Sequence, residues 1–224
     1  MMDKRGLMPN LPFLQLLTST GGGWVIYLLF ALSVLALAVI IERTIIINRQ
    51  FKYSSDILPS LTETLEEDSP EKLLATLRPD STLYRIGKEL ADHASKGFQS
   101  LERHMETRMA LEKRYLEKRL VILGTLGNNA PFIGLLGTVL GVIRAFHDLG
   151  ASAGQGPEVV MQGISEALVA TAVGILVALP CVAFYNFLQK RVKDTLVDAD
   201  RFGKQLIAVL EAKKMLRRKE DHHG

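Results

Sequence analysis

Three stretches of the chain carry no charged residue over more than twenty positions, and the sequence between them alternates charged and apolar residues at helical spacing. From Gly21 to Ile41 there is no charge, and Glu42-Arg43 closes the first stretch. The second runs from Val121 to Ile143, and the third ends at Gln189-Lys190-Arg191. At 1.5 Å rise per residue, about twenty residues reach across a hydrocarbon core of about 30 Å. The pattern therefore predicts three transmembrane helices, over 21–42, 121–145 and 166–189. Trp24 and Tyr27 stand at the start of the first, where amphipathic rings favour the membrane interface.

The intervening segments read as helix too. Residues 43–120 form a helical domain in which Pro59, Pro70 and Pro79 break the chain into short pieces. From Phe98 onward the positions Leu101, Met105, Met109, Leu116 and Leu120 keep one face apolar, which predicts a helix leading into the second span without a break. No alternation runs long enough to propose a strand. Residues 146–165 form a connector in which Pro157 suits the first turn of a new helix. Beyond the third span, Val192, Leu196, Ala199, Leu206 and Leu210 extend a helical stripe through 190–224, with a polar, frayed tail from Lys213. In residues 1–20 a short interfacial helix is expected over 11–17. The fold class is all-α, a three-span membrane protein whose long helices extend into the cytoplasm.

Small residues on two of the spans share a face. Gly127, Pro131, Gly134, Thr138, Gly141 and Ala145 step by three or four, with Gly137 beside them. Ala167, Thr171, Gly174, Ala178, Cys181 and Tyr185 follow the same rhythm. Such spacing places each set on one helix face. In lipid, small residues let helix backbones approach closely, and packing rather than the hydrophobic effect holds helices together. Gly127, Pro131, Gly134, Gly137, Gly141, Ala167, Gly174 and Ala178 are therefore expected packing positions. The arrangement expected is a homo-oligomeric ring whose pore is lined by the second and third spans, with the Leu/Val/Ile-rich first span toward lipid.

Composition narrows the function classes. Apolar residues make up 48% of the chain, charged residues 23%, and the net charge is only +3. No global basic field or recognition motif suggests nucleic acid. Cys181 is the single cysteine, so no internal disulfide or thiol-rich metal site can form. His222-His223 reads as a solvated pair rather than a metal site, and no cofactor is expected. The first apolar run is too long for a signal-peptide core and ends in charge, so it reads as a retained span. Basic residues flank the cytoplasmic side of the proposed spans: Arg43, Arg49, Lys190, Arg191 and Lys193, against Arg144 alone in the 144–165 region. The positive-inside rule then puts the N-terminus and connector outside and the C-terminus in the cytoplasm.

Candidate chemistry is sparse. The glycines at 134, 137 and 141 lack the Gly-Lys-Ser/Thr ending of a phosphate loop, and no strand precedes them. No metalloprotease, nucleophile-elbow or paired-carboxylate pattern occurs, so no enzyme activity is expected. Glu166 has two readings: a helix-start acid facing the helix dipole, or a carboxylate at the mouth of an ion path. Thr138 and Thr171 also have two. Each hydroxyl can bond back to its own helix four residues earlier, or serve a polar path across the small-residue face. Arg144 and His147 read as interfacial or connector residues.

The segments Gly134-Leu-Leu-Gly-Thr-Val-Leu-Gly-Val-Ile and Gly163-Ile-Ser-Glu-Ala-Leu-Val-Ala-Thr-Ala-Val-Gly174, continued by Ala178-Leu-Pro180 and Tyr185-Asn186, resemble the signature of the ExbB/TolQ/MotA proton-channel family. Three spans with a large segment after the first resemble its ExbB/TolQ branch. The resemblance implies a bacterial inner-membrane protein, N-terminus periplasmic, assembled as a pentamer around single-span helices of the ExbD/TolR type. Those partners would supply a membrane aspartate, and a TonB/TolA-like protein would carry the work outward. It also implies that Thr138 and Thr171 face the proton path and that Glu166 takes part in function. The systems it implies are TonB-dependent uptake, Tol-Pal envelope maintenance, or a gliding or related motor. The rival from the residues alone is a non-conducting membrane scaffold held by small-residue packing.

Overall fold

The computed structural model describes residues 22–64, 70–151 and 157–220. Six helices make it up, with no strand among the described residues: α1 Gly23–Thr64, α2 Pro70–Thr76, α3 Thr82–Asp92, α4 Phe98–Glu117, α5 Leu120–Ala151 and α6 Pro157–Glu220. Helices α1, α5 and α6 are long and apolar enough to cross a membrane. The chain divides into two compact units, Met1–Ile40 with Val121–Tyr185, and Ile41–Leu120 with Asn186–Gly224.

The first unit is held by backbone proximity. Gly141 faces Ala167, Gly134 faces Ala170 and Gly174, and Gly127 faces Val182. A Cβ added at Gly134 would lie 2.6 Å from the Ala170 carbonyl oxygen, and one at Gly174 would lie 2.6 Å from that of Ala130. Those distances leave room for hydrogen only, so glycine is required by the neighbour rather than by the backbone angles. Gly137 meets both Ala170 and Val25, which brings α1 onto the same packing face. Large apolar residues point away: Phe30, Leu37, Phe132, Leu135, Leu168, Leu176 and Leu179 are all exposed. This is the distribution expected of helices whose outer surface meets lipid.

The second unit has an ordinary core. Leu58 and Leu61 of α1, Leu73 of α2, Leu83, Ile86 and Leu90 of α3, Leu101 and Met105 of α4, and Phe202, Leu206 and Leu210 of α6 are buried together. Each such side chain contributes roughly 1.5–3 kcal/mol by leaving water. Polar groups fix the register. Ser81 caps α3 by accepting from the Tyr84 amide at 3.1 Å. Gln50 donates to the Asp80 carbonyl at 2.9 Å and accepts from the Thr82 amide at 3.1 Å. Glu112, 2% exposed, accepts from Arg85 at 2.5 and 2.7 Å and from Arg108 at 2.8 Å. A carboxylate buried that deeply is tolerated because its oxygens meet these cations and the Thr82 hydroxyl. Burial draws the Arg85 guanidinium down, but its bonds to Glu112 outweigh that and the group sits above its ordinary value.

Several expectations need correction. Helix α4 does not run into the second span: it ends at Glu117, and α5 starts at Leu120. Lys118 is extended, and Arg119 takes the left-handed conformation at φ 65°. That conformation costs a non-glycine residue about 1–2 kcal/mol. The Arg119 guanidinium bonds to the Glu42 carboxylate across this break at 2.5 Å. Pro59 breaks nothing, because α1 continues to Thr64 with Leu58 and Leu61 anchored in the core on either side of it. Pro70 does open α2, and Pro79 lies in the turn before α3. Nor does the helix fray from Lys213, since α6 persists to Glu220 with Leu206, Ile207 and Leu210 packed beneath it and the Lys214 ammonium donating to the Ser95 carbonyl at 3.1 Å. Helix α6 begins at Pro157, as its fixed φ favours. The interfacial helix expected over 11–17 and the His222-His223 pair lie outside the described residues.

Candidate functional site

The facing surfaces of α5 and α6 bring Thr138 and Thr171 together. Their hydroxyls are hydrogen-bonded to each other, with either able to donate. The Thr138 hydroxyl also lies 3.2 Å from the Ala167 carbonyl and 3.4 Å from the Gly134 carbonyl. It has one proton to give. The bond back to its own helix is the longest of the three, so this hydroxyl serves the facing helix more than its own. Small neighbours make the approach possible: Gly134, Gly137, Ala167, Ala170 and Gly174 surround the pair and leave no side chain between the backbones. Both threonines remain half-buried.

Glu166 proves not to be a helix-start acid. Because α6 opens at Pro157, the first-turn carboxylate is Glu158, and Glu166 sits in the third turn. The helix dipole acts within the first turn and does not reach it. Glu166 is exposed and accepts from Gln162, one turn earlier, at 3.2 Å. It lines a cavity of about 640 Å³ together with Arg144, Asp148 and Gln162. Arg144 and Asp148 pair along α5 at 3.6 Å, so Arg144 belongs to this polar cluster as well as to the connector end. His147 is exposed beside Asp148. Five residues of helix separate Glu166 from Thr171, ~7.5 Å along the axis, so the two are neighbouring features of one helix rather than one cluster.

The remaining expected positions fall on the same interface. Gly127, Ala167 and Ala178 are buried, Gly141 is half-buried, and Pro131 lies half-buried inside α5 without breaking it. Cys181 is buried among them. Sequence spacing missed Ala130 and Ala170, which stand one residue off the stripe and meet Gly174 and Gly134. It also missed Gly163, which faces Ala145 and extends the contact toward the connector. Alanines in an alanine-rich helix give no signal of which neighbour they face. Asn129 donates back to the Thr125 carbonyl at 2.8 Å, so its amide is satisfied within its own helix.

These features lie in a stretch with clear relatives. Residues 78–200, more than half of the chain, match the MotA/TolQ/ExbB proton channel family. The chain belongs to that family. It is 30% identical over 201 residues to the Tol-Pal system protein TolQ of Haemophilus influenzae, covering 83% of this chain and 87% of that one. It is likewise 30% identical over 197 residues to the biopolymer transport protein ExbB of Neisseria meningitidis, covering 81% and 88%. Against the biopolymer transport protein ExbB of Aquifex aeolicus it is 42% identical over 95 residues. That stretch is 42% of this chain and spans 64% of the relative, just under two thirds of its length. These relatives place the chain in the ExbB/TolQ branch, and its three apolar helices accord with a membrane protein of that branch.

Proposed function

We propose that this chain is the channel subunit of an inner-membrane complex that converts proton motive force into mechanical work across the cell envelope. The observation that carries the reading is the bonded pair of hydroxyls, Thr138 and Thr171, set between two otherwise apolar helices of a proton-channel family member. The chain acts as a homopentamer with its N-terminus periplasmic, and α5 and α6 line the path. The threonines bind water or pass hydrogen bonds along it, and Glu166 with its polar neighbours forms the outer mouth. The apolar runs 121–143 of α5 and 167–189 of α6 hold no acidic, basic or histidine side chain. The proton-carrying carboxylate therefore comes from another chain, an aspartate on a single-span ExbD/TolR-like helix inside the ring. A TonB/TolA-like protein couples the motion onward. Each proton supplies about 2.3 kcal/mol per 100 mV of potential.

The test is proton flux in liposomes holding the purified chain, with and without its single-span partner. Flux is expected only with the partner, and it should disappear when the partner's membrane aspartate becomes asparagine. Strong flux from this chain alone, abolished by Glu166→Gln, would make Glu166 the carrier and overturn the assignment. One observation favours the scaffold reading instead: every glycine of the α5 stripe that meets a neighbour is accounted for by packing within one chain. That reading expects Thr138→Val with Thr171→Val to leave partner-dependent flux unchanged, whereas the channel reading expects it to fall.

A further inference from the structure

In the second unit, Glu89 of α3, His93 at its C-cap and His104 of α4 converge, one ligand atom from each lying within 4.8 Å of the other two. We infer that Glu89, His93 and His104 form a binding site for a zinc-class divalent cation, joining the end of α3 to α4. The inference stands apart from the channel reading, because it uses residues of the other unit and a different chemistry.

The geometry supports it in three ways. First, His93, the C-cap of α3, lies one turn beyond Glu89, and its Nδ1 stands 3.5 Å from the Glu89 carboxylate. The Glu89 carboxylate lies 3.0 Å from Nδ1 of His104. The carboxylate only accepts, so Nδ1 of His104 donates to it; on uptake that proton passes to water and the ion takes its place, with donor atoms about 3.4 Å apart at ligand distances of about 2.1 Å. Second, Nδ1 of His93 lies 2.8 Å from the Glu89 carbonyl oxygen. A carbonyl can only accept, so that nitrogen carries the proton and the lone pair is on Nε2. Ligating histidines are generally held this way, one ring nitrogen donating to a carbonyl while the other faces the metal. Third, the side chains are 25%, 29% and 31% exposed for His93, His104 and Glu89, which leaves an entry route and room for a water as fourth ligand.

The donor set selects the ion. Two imidazoles and one carboxylate, with no thiolate, suit Zn²⁺, Co²⁺, Ni²⁺ or Cu²⁺ over Mg²⁺ and Ca²⁺, which take all-oxygen sites. The two imidazoles stack at 3.7 Å between centroids with planes 24° apart. Stacked rings hold their lone pairs side by side, so uptake turns one ring about its Cβ–Cγ bond until both lone pairs converge. The bound ion would clasp the α3–α4 hairpin.

The test uses the full chain in detergent micelles. The chain has five histidines, so His147→Ala, His222→Ala and His223→Ala leave His93 and His104 as the only two. Titrated with Co²⁺, this background should take up one ion per chain, with the visible absorption of a four- or five-coordinate site, and Zn²⁺ should bleach it. Glu89→Gln and His104→Gln should each weaken Co²⁺ binding on the order of 100-fold, at or above the 10–100-fold typical of losing an outer-shell partner. In parallel, Zn²⁺ should protect His93 and His104 of the unaltered chain from carbethoxylation, read by mass spectrometry, which needs no substitution to fold. Absence of Co²⁺ uptake by the background, an unchanged spectrum and affinity in the Gln variants, or full labelling of both histidines under Zn²⁺ would each overturn the site.

Discussion

The two units of this chain solve the same packing problem with opposite means. In the first, the closest approaches between helices are made at glycine and alanine, and many of the large side chains face outward. In the second, the large side chains face inward, and an ion-pair network around Glu112 organises what they leave. The difference follows from the solvent each would meet. Lipid is as apolar as leucine, so burying leucine gains nothing there and close backbone contact is what holds helices together. Water rewards burial by area, so a leucine core forms. Helices α1 and α6 take part in both regimes, changing packing rule along their length.

The comparison can be broken most sharply by removing a large side chain from the water-type core. Phe202 is fully buried among leucines, and Phe202→Ala should cost about 3–5 kcal/mol, read from urea unfolding in mild detergent. A lipid-facing substitution of similar size, Leu35→Phe, should leave stability unchanged, as Leu35 is 46% exposed.

Next, one substitution should separate the units. A Cβ at Gly134 meets a backbone carbonyl, whereas a Cβ at Gly203 meets the terminal methyl and sulfur of Met105 at 2.8 and 2.9 Å. A backbone cannot step aside and a methionine end can. Gly134→Ala is therefore expected to force α5 and α6 apart and cost about 3 kcal/mol, the upper part of the overpacking range. Gly203→Ala should stay within about 1 kcal/mol of neutral, because better helix propensity offsets the shift of Met105. Equal losses of melting temperature in both variants would remove the distinction between the two packing rules.

A smaller effect is expected at the hydroxyl pair. Interhelical hydrogen bonds in membranes average about 0.6 kcal/mol, so a double-mutant cycle of Thr138→Val and Thr171→Val should give a coupling of that size. A coupling near zero would show that the two hydroxyls are adjacent without depending on each other.

The smallest effect is a titration. Burial, with the Asp194 charge nearby, holds the Asp198 carboxyl above its ordinary 3.8. A carboxyl raised in the folded state costs stability while ionised, above its folded value. That cost is relieved as pH falls through the folded value toward 3.8. Asp198→Asn should thus raise the melting temperature slightly at pH 7, with the gain fading toward pH 4. Asp80 is the opposite case: its hydrogen bond from Arg78, with Arg49 nearby, holds it below 3.8, so its contribution is present at neutral pH and lost in acid. If Asp80→Asn also raised the neutral melting temperature, the sign assignment would fail.

Hydropathy made the three long apolar helices legible, and spacing made the faces of Thr138 and Thr171 legible, because both depend on local sequence alone. The break at Lys118-Arg119 was hidden because no glycine or proline marks it and the apolar positions at 116 and 120 stay one turn apart across it. Pro59 misled for the converse reason: tertiary burial of Leu58 and Leu61 overrides a missing hydrogen bond. The helix-start reading of Glu166 was open because the apolar run begins beside it, while the helix begins at Pro157. The meeting of His104 with Glu89 and His93 could not be read from spacing, since it depends on how α3 and α4 fold together.

The contact of Tyr185 with Gly124 gives the helix pair a stop. Read along α5, the facing residues are Ala167 for Gly141, Ala170 for Gly137, Gly174 for Gly134 and Val182 for Gly127, an antiparallel track of mostly small groups. Such a track is nearly the same after a slide of one turn, about 5.4 Å, so by itself it would leave sliding cheap. The aromatic ring ends that freedom. It lies against Gly124, where a Cβ would stand 3.3 Å from Cε2, and a one-turn slide would carry it off that glycine, toward Leu120 or Asn128. The glycines and alanines act as the rail, and Tyr185, with Val182 seated on Gly127 one turn before it, fixes the stroke at zero.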